Sequence, residues 1–206
     1  MITTIFFDFD GVLTTDYIGT GTVCGHLSEA APGLSHQTIT ECYKKYCGHL
    51  LLGGKFAEVW DDFCASIGRK ISPNVLRHAL RTVPRNEEMF GIVQSLSKNF
   101  TLGIITDNPR ERMELLNEDM SLPDLFNPII ISASVHALKH DGTTKIFDAA
   151  LAEAACQLSE SIFIDNQQRN LVTPSQMGMK TYWHDDKKND LMALRLALHD
   201  LGVEAL

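Results

Sequence analysis

The sequence predicts an α/β fold: a doubly wound parallel sheet with helices on both faces and a helical domain inserted after the first strand. Short apolar, β-rich runs alternate with segments of helical period, which is the pattern of βαβ units. Three of these runs end at an aspartate: Asp8, Asp107 and Asp165. Residues from about 16 to 84 break the alternation and carry helical patterns only.

The strands are read in order. Ile2 to Asp8 is apolar without alternation, which suits a strand buried on both faces, and it stops abruptly in Asp8-Phe9-Asp10-Gly11. Phe100 to Thr106 reads the same way and meets Asp107. Pro128 to Ser132 holds Ile129, Ile130 and Ile131; Ser161 to Asp165 is a fourth strand and Met179 to Trp183 a fifth. Between them, Met89, Ile92, Val93 and Leu96 have helical spacing behind the capping residue Asn86 and the acids Glu87 and Glu88. Asn108-Pro109-Arg110-Glu111 reads as a helix start, with Asn108 as the cap and Pro in the first turn. Ile146, Phe147, Ala150, Leu151 and Ala154 mark another helix, and Leu191, Leu194, Leu198 and Leu201 mark the last, stopped by Gly202.

Within the insertion, Ile39, Tyr43 and Tyr46 share a helical face, as do Phe56, Val59, Trp60, Phe63 and Ile67. Ser72-Pro73 opens a third helix with Val75, Leu76, Ala79 and Leu80. Gly19, Gly21, Gly25, Gly53 and Gly54 read as its flexible connections. The expected domains are an α/β core of residues 1–15 and 85–206 and a helical domain of residues 16–84.

The chain has 206 residues, 44% apolar and 21% charged, which suits one globular domain with an insertion and not a disordered chain. Its 18 Lys and Arg against 26 Asp and Glu give a formal charge of −8. An acidic chain repels phosphate backbones and anionic lipid, so neither nucleic acid nor a membrane is an expected partner. No apolar run approaches the ~20 residues of a membrane span, and Met1-Ile2-Thr3-Thr4-Ile5 lacks the basic region of a signal peptide. A cytoplasmic location is expected. The five cysteines are odd in number and form no Cys-x-x-Cys pair, which argues against a disulfide framework. Cys42, Cys47 and His49 fit no common zinc spacing and read as packed helix side chains.

In a parallel sheet all strand C-termini lie at one edge, and ligands bind there. Asp8, Asp107 and Asp165, distant in sequence, should therefore meet, joined by Asp10. Converging carboxylates repel one another, and a divalent cation offsets that cost; hard oxygen ligands favour Mg²⁺. A bland alternative, that buried strands simply end where polar residues begin, accounts easily for one such strand and poorly for three.

Asp8-Phe9-Asp10-Gly11-Val12-Leu13-Thr14 resembles the first motif of the haloacid dehalogenase (HAD) superfamily, in which Asp-x-Asp-Gly follows a hydrophobic strand. Further landmarks follow in order: Thr106 ending the second strand, Lys139 ahead of the Ile146-Phe147 helix, Asp165 ending the fourth strand, then Gly178-Met179. The helical insertion resembles the cap of the subfamily with an α-helical cap. This resemblance implies a HAD-like core and phosphoryl chemistry. Asp8 would be the nucleophile, forming an aspartyl-phosphate. Asp10 would protonate the leaving oxygen and then deprotonate the attacking water. The dehalogenase branch lacks the equivalent of Asp10, so Asp10 points away from dehalogenation. Thr106, Lys139 and the segment Asp107-Asn108 at a helix N-terminus would hold the phosphate. Lys145, the rival of Lys139, lies inside the predicted helix. Asp8, the backbone carbonyl of Asp10 and Asp165 would hold Mg²⁺.

Two positions depart from the family pattern. Asp107 stands where Asn is common. An anion there repels phosphate unless its side chain turns away, pairs with a cation or is protonated, and Asn108 can take over the amide's role. The fourth motif usually carries a second acid, but Asp165 is followed by Asn166 and Asn170, whose amide oxygens contribute less charge; weaker Mg²⁺ binding is expected. The eight histidines show no pair at metal spacing, and His140 adjoins Lys139. Tyr17 and Ile18 fall near the hinge of the insertion. The expected activity is Mg²⁺-dependent hydrolysis of a small phosphate monoester, such as a sugar phosphate, with the cap closing over it. A phosphomutase using the same Asp8 and Asp10 is one alternative; a non-catalytic protein that keeps the fold is another, and a dehalogenase is more distant. The expected partner is a small-molecule phosphate ester, and a monomer is compatible with the sequence.

Overall fold

The computed structural model describes residues 1–204. Five strands form one parallel sheet: β1 (Thr4–Phe7), β2 (Thr101–Thr106), β3 (Ile129–Ile131), β4 (Ser161–Asp165) and β5 (Lys180–Trp183), in the order β3-β2-β1-β4-β5. The central strand, β1, sets Thr4 beside both Thr101 and Ser161. The chain first builds outward from β1 on one side, then crosses to β4 on the other. The switch point therefore lies between β1 and β4, just below Asp8 and Asp165.

The four helices of the insertion are α1 (Thr20–Glu29), α2 (His36–Cys47), α3 (Phe56–Ser66) and α4 (Pro73–Arg81). They share an apolar cluster that includes Val23, Leu27, Ile39, Tyr43, Phe63 and Leu80. Trp60 stacks on Phe63 at 4.9 Å, and Tyr43 meets Phe63 edge-on at 6.3 Å. The aromatic faces are thus spent on packing. One expectation is corrected: Gly21 and Gly25 are inside α1, not in connections. Burial of Val23, Cys24 and Leu27 on one face outweighs the poor helix propensity of the two glycines. Gly19 (φ +60°) and Gly53 (φ +107°) do occupy connections.

The remaining helices are α5 (Glu87–Leu96), α6 (Arg110–Met120), α7 (Ser132–Val135), α8 (Lys145–Glu153), α9 (Gln168–Met177) and α10 (Leu191–Asp200). Alternate β1 side chains go to opposite faces. Ile5 and Phe7 join α5 and α10 through Met89, Val93, Leu194 and Leu198. Phe6 joins α8 and α9 through Ile146, Phe147 and Leu171. Both faces are covered, which is why the strand needs no polar alternation. Each of these fully buried side chains contributes roughly 1.5–3 kcal/mol. Asn86 caps α5 as expected, accepting from the Met89 N–H at 3.3 Å.

The insertion leaves and re-enters the core along adjacent segments. Thr14 bridges Arg85, the Thr15 N–H donates to Pro84 O at 2.8 Å, and the Asn86 N–H donates to Leu13 O at 3.0 Å. It also rests on the core elsewhere. Leu115 of α6 joins its apolar cluster, the Phe56 N–H donates to Glu111 Oε2 at 2.9 Å, and Arg81 forks onto Asp119. All five cysteines are free thiols, and among the described residues no helix is long and apolar enough to cross a membrane.

Candidate active site

β1 ends at Phe7, and Asp8 leads into a wide turn, Phe9–Leu13, closed by the Thr14 N–H donating to Phe9 O at 3.1 Å. Gly11 adopts φ +81°, and a Cβ there would lie 2.1 Å from Asn166 Nδ2. Only glycine lets this turn lie against the end of β4. The turn brings Asp8 and Asp10 into one crevice of about 290 Å³, which Thr106, Asp107, Lys139 and Asn170 also line. A neighbouring cavity of about 230 Å³, between insertion and core, shares Ile18, Thr20, Lys44, Leu51 and Asp107 with it.

At the floor, Lys139 Nζ lies 2.7 Å from Asp8 Oδ1 and 2.7 Å from Asp165 Oδ2, and all three side chains are buried. The Phe9 N–H also donates to Asp8 Oδ1 at 2.7 Å. Asp165 accepts from the Gln167 N–H at 2.7 Å and from Asn170 Nδ2 at 3.0 and 3.1 Å. Burial pushes Asp8 well above the usual carboxylate range and the Asp165 charge pushes it further; Lys139 offsets only part of this. Burial works against the Lys139 charge, but Asp165, Asp8 and Asp107 outweigh it and raise its pKa. Lys139 is therefore a fixed ammonium between two acids.

Asp10 meets a second cation. Arg112 Nη1 donates to Asp10 Oδ2 at 2.7 Å and Nη2 to Oδ1 at 2.8 Å. Asn108 Nδ2 donates to Asp10 Oδ2 at 2.9 Å and to Thr106 Oγ1 at 2.7 Å, and Asn108 Oδ1 accepts from Arg112 Nη1. Burial opposes the Arg112 charge, and Asp10 more than restores it, so its pKa is raised.

The structure thus gathers Asp8, Asp10, Thr106, Asn108, Lys139 and Asp165 at the sheet edge. Two local readings change. Asn108 does not cap α6: Pro109 holds that position, because the buried Asp10 and Thr106 draw the Asn108 side chain away. Its backbone N–H is engaged too, donating to Ser132 Oγ at 3.1 Å, while Ser132 Oγ donates to Leu51 O of the insertion at 2.7 Å. Asp107 turns its carboxylate to the loop after α7. Oδ1 accepts from the Lys139 N–H at 3.1 Å, and Oδ2 lies 3.6 Å from His140 Nδ1. Burial raises Asp107 above the usual carboxylate range, against the pull of Lys139. Sequence reasoning missed Arg112 and Ser132. Arg112 lies four residues after Asn108, the helical spacing at which two side chains share a face, but no local signal marks it as buried.

The donor set suits a hard divalent cation. Asn166 Oδ1 and Asn170 Oδ1 are buried oxygens with no hydrogen-bond donor. Their Nδ2 atoms are already used, one on Tyr17 O and the other on Asp165. Orphaned acceptors on the residue that follows Asp165 and on the one that donates to it match oxygen ligation. Among the described residues, Asp8, Asp10, Asp107 and Asp165 also face only two buried cations, Lys139 and Arg112. Among the described residues no three His, Cys, Asp or Glu side chains are arranged around a metal, so the ligands would be mixed. They would be the Asp8 carboxylate, the Asp10 carbonyl, the Asn166 and Asn170 amide oxygens and the Asp165 carboxylate, which would exchange for the metal one of the donors that each of its oxygens now accepts.

A family model described as haloacid dehalogenase-like hydrolase matches residues 5–184. No curated protein sequence matches the chain. Among solved structures, the HAD family enzyme BT-2542 from Bacteroides thetaiotaomicron, in complex with magnesium and inorganic phosphate, is 16% identical with a TM-score of 0.74; 89% of this chain and 94% of that chain are covered. A predicted HAD-like family hydrolase from Porphyromonas gingivalis is 19% identical (TM-score 0.70, 96% and 98% covered). L-2-haloacid dehalogenase from Xanthobacter autotrophicus, with chloropropionic acid covalently bound, is 13% identical (TM-score 0.67, 94% and 83% covered). At these identities the likeness concerns the fold.

Proposed function

The chain belongs to the haloacid dehalogenase-like hydrolase family, and within that family we propose that it is a Mg²⁺-dependent phosphatase of small phosphate monoesters. The observation that carries this reading is the pairing of Asp8 on Lys139 with Asp10 in the same crevice. The first gives an anchored nucleophile; the second gives the proton carrier that the dehalogenase branch lacks. The magnesium and phosphate complex of BT-2542 supports the same chemistry on the same fold.

Asp8 Oδ1 is held by Lys139 and the Phe9 N–H, which leaves Oδ2 as the attacking oxygen. Attack by Oδ2 forms the Asp8–phosphorus bond as the ester P–O bond breaks, and Asp10 gives its proton to the leaving oxygen. In the second half Asp10 takes a proton from water as the water oxygen attacks phosphorus; orthophosphate leaves and Asp8 is regenerated. Thr106 Oγ1 accepts from Asn108, so its own O–H is available to a phosphoryl oxygen. Lys139 holds charge against both Asp8 and the phosphate. Asp8, Asp165, the Asp10 carbonyl and the two amide oxygens would hold Mg²⁺, which would supply positive charge to the phosphoryl group. Residues 16–84 act as a cap that excludes water, with the 230 Å³ cavity accepting the leaving group.

Phosphate release from a panel of small esters, with and without Mg²⁺, tests the reading. Mg²⁺-dependent release that disappears in Asp8→Asn is the expected result. Release untouched by Asp8→Asn, or none from any ester at saturating Mg²⁺, overturns it.

A further inference from the structure

Arg112 is a charged side chain of α6 placed against the turn that carries the acids, and it is 3% exposed. A buried ion pair is weak support for stability, because desolvation cancels much of its attraction. Arg112 is not satisfied by its surroundings either: its Nε is buried without an acceptor. What holds the guanidinium is Asp10, gripped by both Nη atoms, and Asn108 beside it. Asn108 links the same Asp10 oxygen to Thr106. The backbone of Gly19 closes over this group, since a Cβ there would lie 2.6 Å from both Arg112 Nη1 and Asp10 Oδ2. The fork is therefore covered where the insertion begins.

We infer that Arg112 is a positioning residue that acts through Asp10, and this rests on the phosphatase reading above. A proton is transferred only across about 2.6–3.2 Å, so a carboxylate free to rotate loses most of its value as a proton carrier. The planar fork fixes both oxygens and prevents that rotation. An ammonium is a point charge and cannot. Asp10 Oδ2 takes two of the three side-chain bonds, which leaves Oδ1 to exchange the proton. Asn108 sets this geometry in register with Thr106, the hydroxyl facing the phosphoryl group.

The test uses two esters with Mg²⁺-loaded enzyme. p-Nitrophenyl phosphate has a leaving group that needs no proton; a simple alkyl phosphate has one that does. Arg112→Lys should lower kcat/KM, which reports phosphoryl transfer to Asp8 and not the later hydrolysis common to both esters, at least ~10-fold more on the alkyl ester than on p-nitrophenyl phosphate. In an Asp10→Asn background the same change should cost less than ~3-fold further, because its effect passes through Asp10. Equal losses of kcat/KM on both esters, or losses that simply multiply in the Asp10→Asn background, overturn the inference. Arg112→Met should repeat the selective loss. If that chain does not fold, Arg112→Lys alone and in the double variant decides, at matched thermal midpoints. A wild-type enzyme inactive on both esters removes the phosphatase reading itself, before any Arg112 variant is compared.

Discussion

Replacing Lys139 by Met removes the one cation between Asp8 and Asp165. Each contact is 2.7 Å, so at an effective dielectric near 20 each contributes about 6 kcal/mol of gross attraction. The two carboxylate oxygens are at most about 5.4 Å apart, and left alone they repel by at least about 3 kcal/mol on the same scale. The chain relieves part of this by protonating Asp8, which burial already favours. A net loss of about 3–5 kcal/mol is expected at pH 8, the usual cost of breaking a buried pair from one side. For a chain of this size that is roughly a 6–20 °C fall in midpoint. The sign with pH follows from Asp8. A carboxyl whose pKa is raised by folding adds stability that is complete below its unfolded value and is lost as pH rises through the folded one. The Met variant raises Asp8 further, so its deficit should shrink at pH 5 and widen toward pH 8. Thermal unfolding followed by circular dichroism at both pH values measures this. A deficit under ~1 kcal/mol, or one equal at the two pH values, refutes the account of Lys139 as a clamp on two acids.

Two further predictions follow from the same edge of the sheet. Mg²⁺ at 100 times its dissociation constant should stabilise the wild type by about 2.7 kcal/mol, read as a midpoint shift in a Mg²⁺ titration; Asn170→Ala, which deletes an orphaned oxygen, should need more Mg²⁺ for the same shift. Gly11→Ala should cost about 1–3 kcal/mol in urea unfolding, since φ +81° and a 2.1 Å approach to Asn166 both oppose a Cβ; an unchanged urea midpoint would show that the turn yields.

Strands β1 to β4 were legible as largely buried apolar runs and β5, exposed at both ends, by its β-rich residues, and parallel topology alone brought Asp8 and Asp165 together. What escaped was information held by the tertiary fold. α1 hid behind glycines and is made helical by burial of Val23 and Leu27. Asn108-Pro109 carries a genuine capping signal, yet the buried Asp10 competes for the same side chain and wins. For Asp107 the sequence left open whether its side chain turns away from phosphate, and the fold decides it by offering a backbone N–H 32 residues away. Arg112 sits on a helix that reads as polar, and only the assembled crevice reveals its role.

The paired segments at Thr14 and Arg85 have a consequence for how such a chain can diversify. Its exit and entry points are hydrogen-bonded neighbours, so the sheet's own path closes whether ten residues or seventy intervene. On the proposed phosphatase reading, the insertion carries selectivity and the core carries the chemistry. The exception is Gly19: it belongs to the insertion yet covers Asp10 and Arg112 of the core. In this chain, a side chain at that point would collide with the Asp10–Arg112 pair.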